Sequence, residues 1–311
     1  MLISIAIPCY CSINNLRSVV DEIRGEFAKR PQDDYRILLI CDGSPDRTDE
    51  LIRKLCEEDS KITGILLSRN FTQNNARFAA VPYFEGDALV YMDDDGQHPA
   101  EGIFQLAEKI REGSDVVYAH LTEKKYSKFR ILTSDINRRI NISLGLLPKE
   151  IEVSSFFALS PFSVDKLREY DSPNPNMGAY LLSQTTKFSN VEIEQRERLS
   201  GKSGYTLKKL FELAITGYTN FTVIPLRIAD YTGAAAALLG FIYGIIVLIR
   251  RLVARIAIPG YASIVILLLI IGGMILVSLG LLGEYVGRIY ISLSSKPQYT
   301  IRETIKKQDG V

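Results

Sequence analysis

The sequence predicts an α/β head, a mainly parallel sheet flanked by helices, followed by an amphipathic juxtamembrane helix and two transmembrane helices. Three observations predict it. Residues 1–120 alternate short apolar runs with helical patterns, as strands joined by crossover helices do. Two long uncharged runs, 231–249 and 256–283, lie near the C-terminus. Charge divides at the same point: residues 1–230 hold 29 bases and 33 acids, a net −4, while 231–311 hold eight bases and three acids, a net +5. The total of +1 is a cancellation between an acidic head and a basic, apolar tail.

Composition narrows the class further. With 311 residues, 47% of them hydrophobic, the chain can bury a sizeable core, and disorder is excluded. An overall charge this close to zero argues against nucleic acid as a partner. The four cysteines, Cys9, Cys11, Cys41 and Cys56, form no CxxC pair, so neither a disulfide framework nor a zinc site is expected. Met1-Leu2-Ile3-Ser4-Ile5 runs directly into a strand pattern without a basic leader, so secretion is not expected.

Within the head, strands are expected at 2–7, 35–41, 62–68, 88–92 and 115–119, with helices at 15–30, 48–59, 74–85 and 101–112. Ligands of such sheets sit beyond the carboxyl ends of the strands. Those positions, after Ile7, Cys41, Ser68 and Met92, all carry polar, turn-rich sequence. No GxGxxG follows the first strand and no GxxxxGK[ST] occurs, which disfavours a dinucleotide dehydrogenase and a P-loop NTPase.

The strongest site signal is Asp93-Asp94-Asp95-Gly96-Gln97, directly after an apolar run. Three successive carboxylates repel one another unless solvent or a cation neutralises them. Carboxylate and amide oxygens suit Mg²⁺ or Mn²⁺, which keep positions open for phosphate oxygens. Alternation along an extended segment lets Asp93, Asp95 and Gln97 face one metal ion while Asp94 points elsewhere. A solvated turn is the plainer reading. After the second strand, Asp42-Gly43-Ser44-Pro45-Asp46-Arg47-Thr48 reads as a turn and helix cap, or as a carboxylate for a nucleobase or ribose. Pro8 and Tyr10 offer a stacking face beside it.

The tail is organised by length. About 20 residues cross the hydrocarbon core at 1.5 Å each, so runs of nineteen and twenty-eight uncharged residues both qualify. A buried core helix is the alternative for either. Small residues Ala236, Gly240 and Gly244, then Gly283 and Gly287, recur at four-residue spacing and suit close helix contact, including homo-oligomer formation. Lys and Arg near the spans divide four against three, leaving orientation open. Residues 207–218 place Leu207, Leu210, Phe211, Ala214, Ile215 and Tyr218 on one helical face, suited either to a membrane surface or to packing on the head.

Ile7-Pro8-Cys9-Tyr10, Asp42-Gly43-Ser44, Ser68-Arg69-Asn70-Phe71 and Met92 to Pro99 occur in an order and spacing that resembles the family 2 glycosyltransferases, more narrowly the polyprenyl-phosphate glycosyltransferases. The likeness continues through Arg198-x-x-Gly201-x-Ser203-x-Tyr205, Pro225-Leu226-Arg227, Gly283-Glu284-Tyr285-x-Gly287-Arg288-Ile289-Tyr290 and Lys296-Pro297-Gln298-Tyr299. It implies a GT-A domain over 1–205, a juxtamembrane segment 206–230, two spans within 231–283 (about 231–250 and 261–283) and a cytoplasmic tail 284–311. It implies an enzyme of the inner (plasma) membrane with its catalytic domain in the cytoplasm. The reaction implied is inverting transfer of a sugar from a UDP- or GDP-sugar to a polyprenyl phosphate such as undecaprenyl phosphate. Pro8, Tyr10, Asp42, Asp93, Arg198, Gly201 and Ser203 would bind the donor, and Asp93, Asp95 and Gln97 the Mg²⁺ or Mn²⁺ ion. Arg130, Ser134 and Arg138 would hold the acceptor phosphate, with Asp95, Arg130, Ser134 and Arg198 at the chemistry.

The chain departs from the family pattern at Cys11-Ser12-Ile13, where Asn and two Glu are frequent, at Cys41 and Gly96, and at Ser155-Phe156-Phe157, where many members have Asp-Phe-Arg. That Asp is sometimes assigned a base role. A phosphate monoester has a second pKa of about 6, so the acceptor arrives largely deprotonated and needs no such base. Two rival readings remain at this level: a degenerate scaffold member, and a glycan-extending synthase. The second usually carries QxxRW, whereas this chain has Gln195-Arg196-Glu197-Arg198-Leu199 and no Trp.

Overall fold

A computed structural model of the chain describes residues 1–122, 151–172, 175–194, 196, 231–236, 238, 240–246, 249, 260–293 and 297–307. The chain forms two units, 1–203 with 296–311, and 204–295. In the first, β1 (Leu2–Cys9), α1 (Leu16–Ala28), β2 (Asp34–Cys41), α2 (Thr48–Glu58), β3 (Ile62–Leu67), α3 (Gln73–Ala80), β4 (Ala88–Tyr91), α4 (Gly102–Arg111) and β5 (Val116–Thr122) follow one another. Then come β6 (Phe157–Leu159), α5 (Pro161–Arg168), α6 (Met177–Gln184), β7 (Phe188–Glu194) and, from the far end of the chain, β8 (Ile301–Lys306).

Eight strands make one sheet in the order β7-β5-β6-β4-β1-β2-β3-β8. The pairings β1–β2, β1–β4, β2–β3 and β5–β7 are parallel, while β6 and β8 run against their neighbours. The sheet is therefore mixed rather than simply parallel, and this arrangement is GT-A-like.

Alternation builds two cores. Ile3, Ile5, Ile7 and Cys9 of β1 face one core with Ile37, Leu39 and Cys41 of β2 and Val90 of β4. Ala6, Leu38, Ile40, Leu89 and Tyr91 face the other. Each core needs a helical cover. On the first face α1 buries Leu16, Val19, Val20, Ile23 and Phe27, spaced as one helical stripe. On the second, α3 contributes Ala76, Phe78, Ala79 and Ala80. Strands buried on both faces explain the nearly unbroken apolar runs of β1 and β3.

The segment read as a C-terminal tail supplies the edge strand β8. It pairs antiparallel with β3 from Thr63↔Lys306 to Leu67↔Ile301. Arg53 grips Glu303 with two hydrogen bonds of 2.7 Å, and Tyr83 meets Thr304 at 2.8 Å. The charged residues Arg302 and Glu303 are exposed on this edge, which discourages further strand addition.

The second unit holds helical residues at 231–236, 238, 240–246 and 249, and the 33-residue helix α7 (Tyr261–Leu293), which continues ten residues beyond Gly283. Among the described residues no helix is long and apolar enough to cross a membrane. Ile264, Leu268, Ile275, Leu276, Val277 and Leu279 of α7 are exposed. The amphipathic segment 207–218 lies outside the described residues.

Candidate active site

The site forms where β1, β2, β3 and β4 end side by side. Pro8 is buried at the end of β1, where its missing N–H costs no ladder bond because β4 pairs with β1 only as far as Ala6. Tyr10 follows, 51% exposed, with its ring free to carry a planar group. Cys11 takes φ +57° and donates its N–H to Ser44 Oγ at 2.7 Å. Ser12 N–H reaches Thr48 Oγ1 at 3.1 Å and Ile13 N–H reaches Asp46 Oδ2 at 3.2 Å. The loop after β1 is thus stitched to the loop after β2.

Asp46 is the hub of that stitching. Its Oδ1 accepts from Ser44 Oγ at 2.5 Å and from Thr48 Oγ1 at 2.6 Å. Burial pushes its pKa up, but the hydrogen bonds from Ser44, Thr48 and Ile13 outweigh this and leave it lowered. A depressed carboxylate stabilises the fold above its unfolded pKa and loses that contribution as pH falls through the folded value. Asp46→Ala should therefore cost about 2 kcal/mol near neutral pH, the scale of one hydrogen bond to a charged group, because solvent access lets the freed donors turn to water. Thermal unfolding in detergent should show the gap from the native chain narrowing as pH falls below about 4. A gap independent of pH would remove the charge from this account.

Asp42 is buried at the end of β2, and its Oδ1 accepts from Phe71 N at 2.7 Å. Burial raises its pKa, while the amides of Phe71 and Thr72 oppose the rise. The carboxylate expected to meet a nucleoside thus has its Oδ1 committed to the loop after β3. In that loop the Arg69 guanidinium lies 4.3 Å over the Phe71 ring, and Thr72 adopts φ +79°, a region more usual for glycine.

The three acids after β4 have separate surroundings. Asp94 turns to the β1 loop, where its Oδ2 accepts from Ser12 Oγ and, at 3.3 Å, from Tyr10 N–H. Burial, opposed by these bonds and reinforced by Asp93 and Asp95, pushes its pKa up to about 6. Asp93 faces α3 and β6, accepting from Gln73 Nε2 and Ser155 Oγ, each at 2.7 Å. Asp95 Oδ1 accepts from Gln97 N–H at 3.1 Å, closing a turn in which Gly96 takes φ +75°. His98 accepts the Asp93 N–H on Nδ1 at 3.0 Å and stacks 4.8 Å from Phe156. Burial lowers its pKa, so it serves as a neutral brace for the loop.

Among the described residues no group of three His, Cys, Asp or Glu side chains is placed to hold a metal ion by itself. Asp93, Asp95 and Gln97 nonetheless present hard oxygen donors at one strand end, which fits an ion bound by one or two carboxylates and completed by substrate phosphates. Arg130, Ser134, Arg138, Arg198, Gly201 and Ser203 lie outside the described residues.

Sequence reasoning missed Ser12, Gln73, Arg77 and Ser155 as neighbours of the acid strip. Gln73 and Arg77 carried a usable signal: they sit four apart on a helix that opens right after a strand-end loop, so they share a face. Outside the strip, His120 meets Glu152 at the end of β5.

Comparison with known proteins places this geometry. Residues 4–169 match glycosyl transferase family 2, and residues 224–289 match the GtrB C-terminal hairpin. A prophage-derived bactoprenol glucosyl transferase of Shigella flexneri is 30% identical over 98% of both chains. An uncharacterized glycosyltransferase of Bacillus subtilis (strain 168) is 31% identical over 97% of this chain and 93% of its own. A mycobacterial protein of known crystal structure shares the fold, with TM-score 0.50 and 17% identity over 68% of this chain and 71% of that one. With a family match over more than half its length and full-length relatives at 30% identity, the chain belongs to glycosyl transferase family 2 and is a glycosyltransferase.

Proposed function

We propose that this glycosyltransferase moves a sugar from a nucleotide-diphosphate-sugar to a polyprenyl phosphate at the cytoplasmic face of the inner membrane, inverting the anomeric carbon. The observation that carries the reading is the acid strip Asp93–Asp95, set at the end of β4 beside Tyr10 on one side and Gln73 and Ser155 on the other. The relatives named bactoprenol glucosyl transferase, matched end to end, supply the acceptor class.

Asp93, Asp95 and Gln97 would hold Mg²⁺ or Mn²⁺, which when bound supplies the positive charge that a departing nucleoside diphosphate needs. The chain's own residues do the rest. Tyr10 offers its exposed ring to the base, and Asp42 fixes the 69–72 loop beside it. Asp94 ties the β1 and β4 loops together, so the nucleoside and diphosphate ends of the cleft keep a fixed spacing. Arg198, Gly201 and Ser203 would close on the donor, and Arg130, Ser134 and Arg138 on the acceptor phosphate. Ser155, which stands where a base is frequent, donates to Asp93 instead. A phosphate dianion needs no proton removed, so this exchange is compatible with turnover.

Membrane anchorage rests on the tail. At 1.5 Å per residue, the 33 residues of α7 extend roughly 50 Å, and no charge interrupts it before Glu284. Topology has independent support: β8 pairs with β3, so the head and residues 301–306 share one side of any membrane between them. The number of crossings in 204–295 is then even, as a two-helix hairpin requires.

Purified full-length protein given Mn²⁺, undecaprenyl phosphate and a panel of labelled UDP- and GDP-sugars should yield a lipid-linked sugar from at least one donor. Nucleotide binding without glycolipid from any donor would overturn the catalytic reading in favour of a scaffold.

A further inference from the structure

Arg77 lies one helical turn after Gln73, on the face of α3 that meets the acid strip. Its Nη2 is 3.6 Å from Asp93 Oδ1, and its guanidinium carbon is 5.5 Å from the centroid of the Phe157 ring. The side chain is only 14% exposed. Its Nε is buried without a hydrogen-bond partner, alone in this among the described side chains.

A structural ion pair is built differently, and this protein shows how. Arg17 grips Glu58 with bonds of 2.7 and 2.9 Å, and Arg53 grips Glu303 with two of 2.7 Å. Those are saturated forks on the surface. Among the described residues Arg77 is held by charge and by an aromatic face, with no comparable fork, although burial makes an unmade hydrogen bond cost about 1–3 kcal/mol. Asp93 does not repair this, because Arg77 Nη2 stays 3.6 Å from its Oδ1, an ion pair beyond hydrogen-bond reach. A largely buried cation whose Nε lacks a partner and whose fork only approaches Asp93 is poised to take an oxygen that arrives with the substrate.

We propose that Arg77 is a donor-binding residue, whose guanidinium takes up an oxygen of the sugar-diphosphate end of the nucleotide sugar beside Asp93. The inference rests on the reading of Asp93–Asp95 as the diphosphate site. The nucleoside end is excluded as its target, because Tyr10 and the β2 loop lie on the Asp94 side of the strip whereas Arg77 lies on the Asp93 side. Pivoting the fork onto a ligand oxygen would also release Nε from its orphaned position.

Calorimetric titration of the full-length protein in nanodiscs with Mn²⁺ separates the possibilities, using UDP, UMP and UDP-glucose with GDP and GMP in parallel. Arg77→Met should weaken binding of the favoured diphosphate about tenfold or more and leave the matching monophosphate within about twofold. Arg77→Lys, which keeps the charge but not the fork, should fall between. Thermal unfolding of the ligand-free variants checks that each is folded before its affinities are compared, since removing one partner of the pair with Asp93 costs stability whatever the ligand. Equal diphosphate affinity in native and Arg77→Met, or a parallel loss of monophosphate binding, overturns the role of Arg77 while leaving the proposed function standing. A native protein that binds neither diphosphate overturns both.

Discussion

Asp95→Ala is expected to remove glycosyl transfer by about a thousandfold or more, while the protein stays folded. The size follows from charge: stabilising a leaving diphosphate through a bound cation is worth on the order of several kcal/mol, and about 1.4 kcal/mol is tenfold in rate. Asp95 is chosen for its place in the proposed metal set, at the turn after β4. Asp94 is engaged by Ser12 and Tyr10, and its loss would loosen the join between the β1 and β4 loops. Asp93 is enclosed by Gln73, Ser155 and Arg77. Asp95 sits at the turn itself and is half-buried, so truncation there gives up about 1 kcal/mol of turn stability. The check is paired: steady-state transfer with varied Mn²⁺, and thermal unfolding of the same preparation. Full metal-dependent activity in Asp95→Ala would sink the metal assignment. Asp94→Ala should show the reverse emphasis, a lower unfolding midpoint with activity falling in step.

How much of this was legible in the sequence depends on where each element takes its stability. β1 to β4 could be read to within about two residues at each end, because each strand buried on two faces must be apolar along its length, and α1, α2 and α4 as closely, whereas α3, expected over 74–85, ends at Ala80. β6 could not. Its three residues, Phe157–Leu159, owe their extended form to partners on both sides, Tyr91–Leu89 and Tyr118–Val116. β8 was hidden for a related reason. An edge strand whose outer side chains are Arg302 and Glu303 carries a charged pattern, and only the pairing with β3 makes it a strand. A tail in sequence is part of the sheet in space.

The site divides along the same line. Strand ends and the acid triplet are local features, so Asp42, Asp93, Asp95 and Tyr10 could be singled out from position alone. What each side chain does there is set by segments far away in the chain. Asp42 anchors Phe71, 29 residues on, and Asp93 receives Ser155 from 62 residues away. No spacing rule carries such pairings, because they arise only when the sheet brings β2 beside β3 and β4 beside β6.

Gly43→Ala is expected to cost the head about 2–5 kcal/mol. Two costs add. Gly43 takes φ +60°, where an L side chain costs on the order of 1–2 kcal/mol. A Cβ there would also stand 2.4 Å from Arg69 C and 2.4 Å from Asn70 N, both main-chain atoms that no rotamer change can move aside. Overpacking of this kind adds roughly 1–3 kcal/mol. The loop 69–72 must retreat, and that breaks the Phe71 N–H bond to Asp42 on which the cleft wall depends. Nucleotide binding should therefore fall further than the loss of stability alone explains. Gly25→Ala is the control with the opposite sign. Gly25 lies inside α1 with nothing within 4 Å of its added Cβ, so alanine should stabilise by about 0.5–1 kcal/mol through the smaller backbone entropy lost on folding. Thermal unfolding of the two variants beside the native chain decides the matter. Midpoints displaced in opposite directions follow from the left-handed turn at Gly43; a shared direction would mean that the β2 loop yields to the new methyl group.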